Sequence, residues 1–324
     1  MQRAGVINGP RLFSTGTILY GARHFFTADV DSLDDARRHI RRMKAVGAVS
    51  VKSYNQPRRD QRQMLLQAAR ELKMMVVPEG GALFMHNMTQ VIDGHTGIKH
   101  ALPVPRGYDD VVQLWSGTKV GYTPTLGVAY GGLGAEHYWY AKTRVDLNKR
   151  LAAFVPPCAV EPRARRTKGA PDEEWNHFKA AKFATRLMRR GVGVNLGAHG
   201  QREGLAVHWE LWSLAQGGMT PFEALRACTL HSARYIGLDR DIGSLQKGKL
   251  ADFAVIAGDP LKDLRLSEKV KWTVQGGRVF NAATMTQVLP KAPKREPLFW
   301  KLQGEPRASM RVHCQTTGCG CHQD

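Results

Sequence analysis

The sequence predicts an α/β protein built on a parallel sheet. Three observations carry this. Short apolar runs alternate with amphipathic helical stretches from about residue 33 to 237. The runs are apolar throughout and do not alternate, as expected of strands covered on both faces. The texture then changes after residue 240 to short β-rich segments with glycine turns. Repeated strand–helix units place helices on the faces of a parallel sheet. Five strand candidates fall around Val51, Val76, Ile98, Thr123 and Val194. Five strands suit a doubly wound sheet. A (β/α)8 barrel needs three more before residue 45, where there is no room, so a barrel reading means a barrel whose first part is missing.

In chain order, "LDDARRHIRRMKAVG" reads as a helix, with Leu33, Ala36, Ile40 and Met43 at helical spacing and Gly47 ending it. "AVSVKSY" is a strand, "RRDQRQMLLQAARELK" a helix and "MMVVPEGG" a strand. "GHTGIKHALPV" is a short strand with its loop, "YDDVVQLWSGTK" a helix and "VGYTPTLGV" a strand. "EWNHFKAAKFATRLMRRG" is a helix, "VGVNLGAHG" a strand and "HWELWSLAQGG" a helix. "TPFEALRACTLHSARYIG" is a further helix, with Thr220 as N-cap and Pro221 at the first helical position. "IGSLQKGKLADFAVIAGDPL" and "KVKWTVQGGRVFN" read as antiparallel strands. Three segments follow: a strand–helix body over 1–240, a β segment over 241–285, and an extended, Pro- and charge-rich tail over 286–324.

Composition narrows the function classes. The chain has 324 residues, 43% apolar and 23% charged, which suits a folded globule. No apolar run reaches the roughly 18 residues of a membrane span. The N-terminus lacks the apolar core of a signal peptide, so the chain as given is assigned to the cytoplasm. It also opens inside a strand-and-loop pattern, as an internal fragment would. The formal net charge of +19 favours anionic surfaces through counterion release. The basic residues are scattered over helices, with no RNA-binding aromatic signature and no zinc-finger spacing, so they read as a solvated surface and predict no specific nucleic-acid partner. The five cysteines form no regular disulfide framework. The tail "HCQTTGCGCHQD" has a C-x4-C-x-C spacing foreign to structural zinc sites, and reads as a loose tract that binds metal adventitiously.

Chemistry in a β/α barrel sits at the C-terminal ends of the strands. The polar residues there are Lys52, Glu79, His100 and His199. Imidazole and carboxylate suit zinc or a related divalent ion, and a carboxylated lysine can bridge two ions. His199 stands between Ala198 and Gly200, small neighbours that permit close approach. His86 and His95 are placed at the mouth as substrate-contacting residues. His208 and His231 fall on helices and read as packing or surface residues.

"CTLHSARYIGLDRDIGSLQKGKLADFAVIAGDPL" resembles the C-terminal signature of the metal-dependent amidohydrolase superfamily: a helix, a Gly-Ser-Leu turn, Gly-Lys-x-Ala-Asp, and a strand ending in Asp-Pro. "GIKHALP" resembles its sixth-strand motif, with Lys99 where Glu is common, and "SVKSY" its fourth-strand lysine motif. Glu79 precedes His100 by 21 positions, close to the family's gap between its fifth- and sixth-strand histidines. "GPRLFSTGTILYGA", "VKSYNQPRRDQRQ", "VVPEGG", "FMHNMTQVIDGHTGI" and "LGAHGQREGL" resemble the amidohydrolase module that follows a TolB-like β-propeller in longer proteins.

The resemblance implies a partial TIM-like barrel, truncated at its N-terminus, with a small β-sandwich built from both chain ends. It implies a hydrolase acting on C–N bonds other than linear peptide bonds. The substrate would be a small amide or cyclic amide. One or two divalent ions, zinc first, would be held by Lys52, Glu79 and His100, with His199 as base or ligand. Three departures stand out: the first-strand His-x-His is missing, Glu79 replaces a histidine, and His199 replaces the eighth-strand aspartate. A neutral imidazole can take over that aspartate's proton-handling role. The alternative is a noncatalytic, truncated amidohydrolase-like binding module. Expected partners are the substrate and the missing N-terminal barrel or propeller segment, with homo-oligomerisation allowed. A longer parent would be compatible with export to the periplasm or beyond.

Overall fold

A computed structural model describes residues 9–20, 28–54, 56–104, 106–130, 132–165, 167–199, 202–292, 297–298 and 301. The chain runs β1 (Leu19–Tyr20), α1 (Leu33–Ala45), β2 (Ser50–Tyr54), α2 (Arg59–Glu71), β3 (Met75–Pro78), α3 (Phe84–Asp93), β4 (Gly97–Lys99), α4 (Asp109–Ser116) and β5 (Gly121–Thr123). Strands β1, β2 and β3 pair in parallel, as do β4 and β5. A parallel bridge between Glu79 and Lys99 joins the two groups, and another between Tyr122 and Val194 carries the arc to the segment around Val194. All five predicted strand positions therefore lie on one parallel arc, in chain order, preceded by β1. Among the described residues the arc does not close into a barrel.

Local chemistry explains the helices that the sequence announces. In α1 the Ser32 hydroxyl accepts from Asp35 N at 3.1 Å, and the Asp35 carboxylate accepts from Ser32 N at 3.0 Å. This capping box satisfies two orphan N–H groups. Ala36, Ile40 and Met43 form its buried stripe. Helix α2 buries Leu65, Leu66, Ala68 and Ala69 beside it, and Arg37 joins the two helices by donating twice to Glu71 at 2.8 Å. Together with β1–β3 they enclose one apolar core around Leu19, Ile40, Val51 and Leu65.

The chain continues through α5 (Ala135–Lys142), α6 (Lys149–Phe154), α7 (Pro157–Arg165), α8 (Asn176–Arg189), α9 (Leu205–Gln216), α10 (Pro221–Arg226) and α11 (Ser232–Tyr235), the last two separated by a wide turn over Ala227–His231. Thr220 caps α10 through a second capping box with Glu223, and Pro221 occupies its first turn. Helices α4, α5, α8 and α9 enclose the larger core, centred on Trp115, Tyr122, Leu126, Leu187 and Leu214. Helices α3, α5, α6 and α7 have no counterpart in the sequence reading. Asn87 and Gln90 take buried positions on α3, and Glu136 on α5, which breaks the apolar periodicity. Pro162 lies inside α7, where it reads as a breaker.

After residue 240 come β6 (Phe253–Ile256), β7 (Val270–Gln275), β8 (Arg278–Asn281) and β9 (Gln287–Leu289), an antiparallel sheet in that order. Strand β9 lies past residue 285, in the stretch read as extended. The expected sandwich is one sheet among the described residues. Among the described residues no second layer covers β6, whose Phe253 and Val255 are 40% and 39% exposed. The other chain end does reach this sheet: Gln275 Nε2 donates to Gly9 O at 3.1 Å and Arg11 pairs with Asp252. The sheet is tied to the helices by Trp212, whose indole donates to Leu264 O at 2.9 Å while Arg265 lies 3.9 Å from its ring centroid. No helix among the described residues is long and apolar enough to cross a membrane. The Cys/His tail over 313–322 lies outside the described residues.

Candidate metal centre

Strands β2, β3 and β4 deliver three side chains to one place. Lys52 Nζ lies 2.8 Å from Glu79 Oε2, and His100 Nε2 lies 2.9 Å from Glu79 Oε1. The loop after Val194 brings the His199 ring to 5.3 Å from the His100 ring, centroid to centroid. One ligand-capable atom each from Glu79, His100 and His199 fall within 4.8 Å of one another. These are the residues that close three apolar runs in the sequence.

The backbone is shaped for this convergence. Gly80 N donates to Lys99 O at 2.9 Å, and a Cβ on Gly80 would sit 2.7 Å from that oxygen, so glycine is needed at this close approach. The next residue, His100, adopts a left-handed φ of 69°. For a residue of its size this costs on the order of 1 kcal/mol or more, strain of the kind that clusters at functional sites. A Cβ on Gly197 would overlap Thr123 Cγ2, so the turn leading to His199 packs flush against β5.

Three residues that sequence reasoning missed support the centre. Asn87 staples the loop after β3: its Oδ1 accepts from Gly81 N at 2.9 Å and its Nδ2 donates to Gly81 O at 2.9 Å. Tyr130 donates to Gly80 O at 3.1 Å and sets its ring edge-on to His100 at 5.9 Å. Buried Glu210, on α9, accepts from Leu126 N at 2.8 Å and Gly127 N at 3.2 Å, which fixes the loop that carries Tyr130. Only Asn87 had a local signal, an amide six positions after Gly81.

Electrostatics follow from this packing. Burial pushes the Glu79 carboxyl up, but the hydrogen bonds from His100 and Lys52 outweigh it and hold the group at about 2. It is therefore an anion over the whole physiological range. Burial raises the Tyr130 hydroxyl, and the Glu79 charge adds to the rise. Burial lifts Glu210 to about 8 against its two backbone donors. Behind His199, a small cavity is lined by Glu136, Arg202 and Glu210 among others. Arg202, 3% exposed, donates to Tyr140 OH at 2.7 Å and Ala159 O at 2.8 Å.

Two expected residues do not join the site. His95, 2% exposed, precedes β4, at the other end of that strand from His100, and its Nδ1 bonds Gln90 O at 3.0 Å. The Gly94 turn that closes α3 places it there. His86 stands in the first turn of α3, but its ring faces Gln90 Nε2 at 3.0 Å and Arg62 NH1 at 3.4 Å, toward α2. Neither ring is part of the Glu79–His100–His199 cluster. His208 packs as expected, bonding Ser267 Oγ at 3.1 Å.

The donor chemistry fits a divalent ion. Two imidazoles and an ionised carboxylate form a nitrogen–oxygen set that zinc and its neighbours accept. His100 Nδ1 is buried with no protein partner, so this ring is only half satisfied by the fold.

Residues 189–280 match the amidohydrolase family. A stretch of 36 residues is 64% identical to imidazolonepropionase of Erwinia tasmaniensis, covering 11% of this chain and 9% of that protein. A stretch of 109 residues is 28% identical to ochratoxinase of Aspergillus niger, covering 32% and 22%. The chain thus aligns with less than a quarter of the length of these curated relatives. Among solved structures, a Xaa-Pro dipeptidase with bound methionine in its active site superposes with a TM-score of 0.61 at 18% identity, over 86% of this chain and 70% of that one. Phenylurea hydrolase B superposes with a TM-score of 0.62 at 18% identity, over 91% and 72%. Residues 189–280 thus match the amidohydrolase family, and over most of its length the chain shares the fold of these solved structures.

Proposed function

We propose that this chain houses a metal-dependent hydrolytic site for C–N bonds of small amides or cyclic amides, other than linear peptide bonds. The observation that carries the proposal is the convergence of Glu79, His100 and His199 at the C-terminal ends of parallel strands, the end where barrel chemistry resides. These three residues would hold a divalent ion, zinc first. Lys52, which reaches the same carboxylate, would join as a carbamate if a second ion is bound. A divalent ion supplies Lewis acidity and a nucleophile at neutral pH. The relatives named above, two of them called ochratoxinase and phenylurea hydrolase B, support the C–N bond class.

The chain's own residues divide the remaining work. Glu79 brings fixed negative charge, oriented by Lys52 and His100. His199, the exposed member of the cluster, would take or return a proton at its imidazole as well as ligate. Tyr130 and Asn87 hold the Gly80–Gly81 loop against the site. The test is hydrolysis of a panel of N-acyl amino acids, ureas and cyclic amides with zinc present. Metal-dependent turnover that is lost in His199→Ala supports the reading. Turnover that survives chelation and this substitution defeats it.

One observation favours a second reading, a noncatalytic module. Both oxygens of Glu79 are already engaged by Lys52 and His100, so the cluster is partly satisfied as a salt-bridge network. Absence of zinc binding together with unchanged folding stability in zinc would select that reading.

A further inference from the structure

The cavity behind His199 has a volume of about 20 Å³. That exceeds the ~10–15 Å³ that one water needs, and it is far too small for a whole substrate. His199 belongs both to its wall and to the cluster with Glu79 and His100, so the cavity adjoins the candidate centre. Ala198, Ala206 and Trp209 supply apolar wall, and the charged members are Arg202, Glu136 and Glu210.

Arg202 is a buried cation, 3% exposed. Its Nε and NH2 are spent on neutral acceptors, Tyr140 OH and Ala159 O. Among the described residues its NH1 makes no hydrogen bond, and no carboxylate oxygen lies within 4.0 Å of its guanidinium. The two carboxyls that share the cavity are already committed. Glu136 forms an ion pair with Arg163. Both Glu210 oxygens accept backbone N–H groups, from Leu126 and Gly127. Burial lifts Glu210 to about 8, so it is largely uncharged at neutral pH. A buried charge is costly unless an opposite charge meets it. Water filling the cavity would solvate Arg202 and would not neutralise it.

We propose that Arg202 determines specificity at the candidate centre, and that the cavity seats a carboxylate borne by the amide substrate. The inference rests on the hydrolytic reading for the identity of the ligand as a substrate; the subsite itself is a matter of binding. A carboxylate is planar, carries one full charge and offers two acceptor oxygens to guanidinium donors. It suits a cavity of this volume, whereas a tetrahedral phosphate is bulkier. The apolar wall lowers the local dielectric and strengthens the pair. Because His199 is shared, the seated group would lie beside the residue that handles the proton. The favoured class is then N-acyl amino acids and related acidic amides, over neutral amides and ureas.

The test is calorimetric titration of the full chain with N-acetylglycine and N-acetylglycinamide, which differ only in the carboxylate. The parent is expected to bind N-acetylglycine at least about tenfold tighter, as one charge-assisted hydrogen bond implies. The preference should persist in the presence of a metal chelator, because it belongs to Arg202 and not to an ion. Arg202→Gln is expected to lose the preference, and Arg202→Lys, which keeps the charge, to retain part of it. Equal affinity of the parent for the two ligands, or no measurable binding of either, overturns the proposal whether or not the variants fold. An Arg202→Gln protein with the parent's preference overturns it too, as does a preference that disappears on chelation. The hydrolytic reading fails separately: absence of turnover on the amide panel sinks that reading while a chelator-resistant carboxylate preference stands.

Discussion

Gly197→Ala tests how the site is built. The new Cβ would overlap Thr123 Cγ2 by about 1 Å or more, against ordinary carbon–carbon separations of ~3.5–4.0 Å. Thr123 is buried and β-branched, so its methyl has little rotamer freedom. Its strand is also held by the bridge between Tyr122 and Val194. Neither side gives cheaply, and overpacking of this kind costs about 1–3 kcal/mol. The easiest relief moves residues 197–199 away from β5, which draws His199 off Glu79 and His100. A displacement near 1 Å can cost about a hundredfold in a positioned reaction. Urea unfolding and zinc titration read the two effects separately. Thr123→Ser removes only the offending methyl, so the double variant should recover both, with a coupling energy of about 1–2 kcal/mol. Gly197→Ala protein within about 0.5 kcal/mol of the parent, or failure of Thr123→Ser to rescue it, would refute the packing argument.

His199→Ala should abolish hydrolysis and leave the far-UV spectrum and unfolding midpoint near the parent's, because the ring is exposed; a large loss of stability would show that the residue is structural instead. Glu210 gives a pH prediction. Burial raises its carboxyl from 4.5 to about 8 in the folded chain. The stability its protonated form contributes is full below pH 4.5 and lost as pH rises through about 8. Parent melting temperature should fall from pH 5 to 9, and Glu210→Gln, which cannot ionise, should flatten that fall; parallel profiles for the two proteins would refute it. Gly80→Ala should lower both stability and zinc affinity, since its Cβ meets the Lys99 carbonyl at 2.7 Å; parent-like zinc binding by this variant would show that the close approach does not position the site.

The strands around Val51, Val76, Ile98, Thr123 and Val194 were legible because each is a short apolar run closed by glycine, proline or a polar residue. Glu79, His100 and His199 were legible for the same reason: a polar side chain ending such a run has few places to point except the mouth of the sheet. His86 and His95 show the limit of that logic. Neither closes a run, and each finds a local partner within α3 or at its end. Glu210 was out of reach because its partner Leu126 lies 84 positions away, and its mid-helix position carries no mark of burial. Helix α3 was hidden by Asn87 and Gln90, whose buried amides interrupt the apolar stripe while serving the adjacent loop.

The central claim is that Glu79, His100 and His199 hold a divalent ion. Zinc titration monitored by elemental analysis tests it most directly. Replacing Cys314, Cys319 and Cys321 by serine and His313 and His322 by alanine beforehand removes the tail's ligands from the count. The account predicts that the parent retains at least one equivalent of zinc through gel filtration, and that Glu79→Ala and His100→Ala each lose it. Equal zinc retention by the parent and both variants would contradict it.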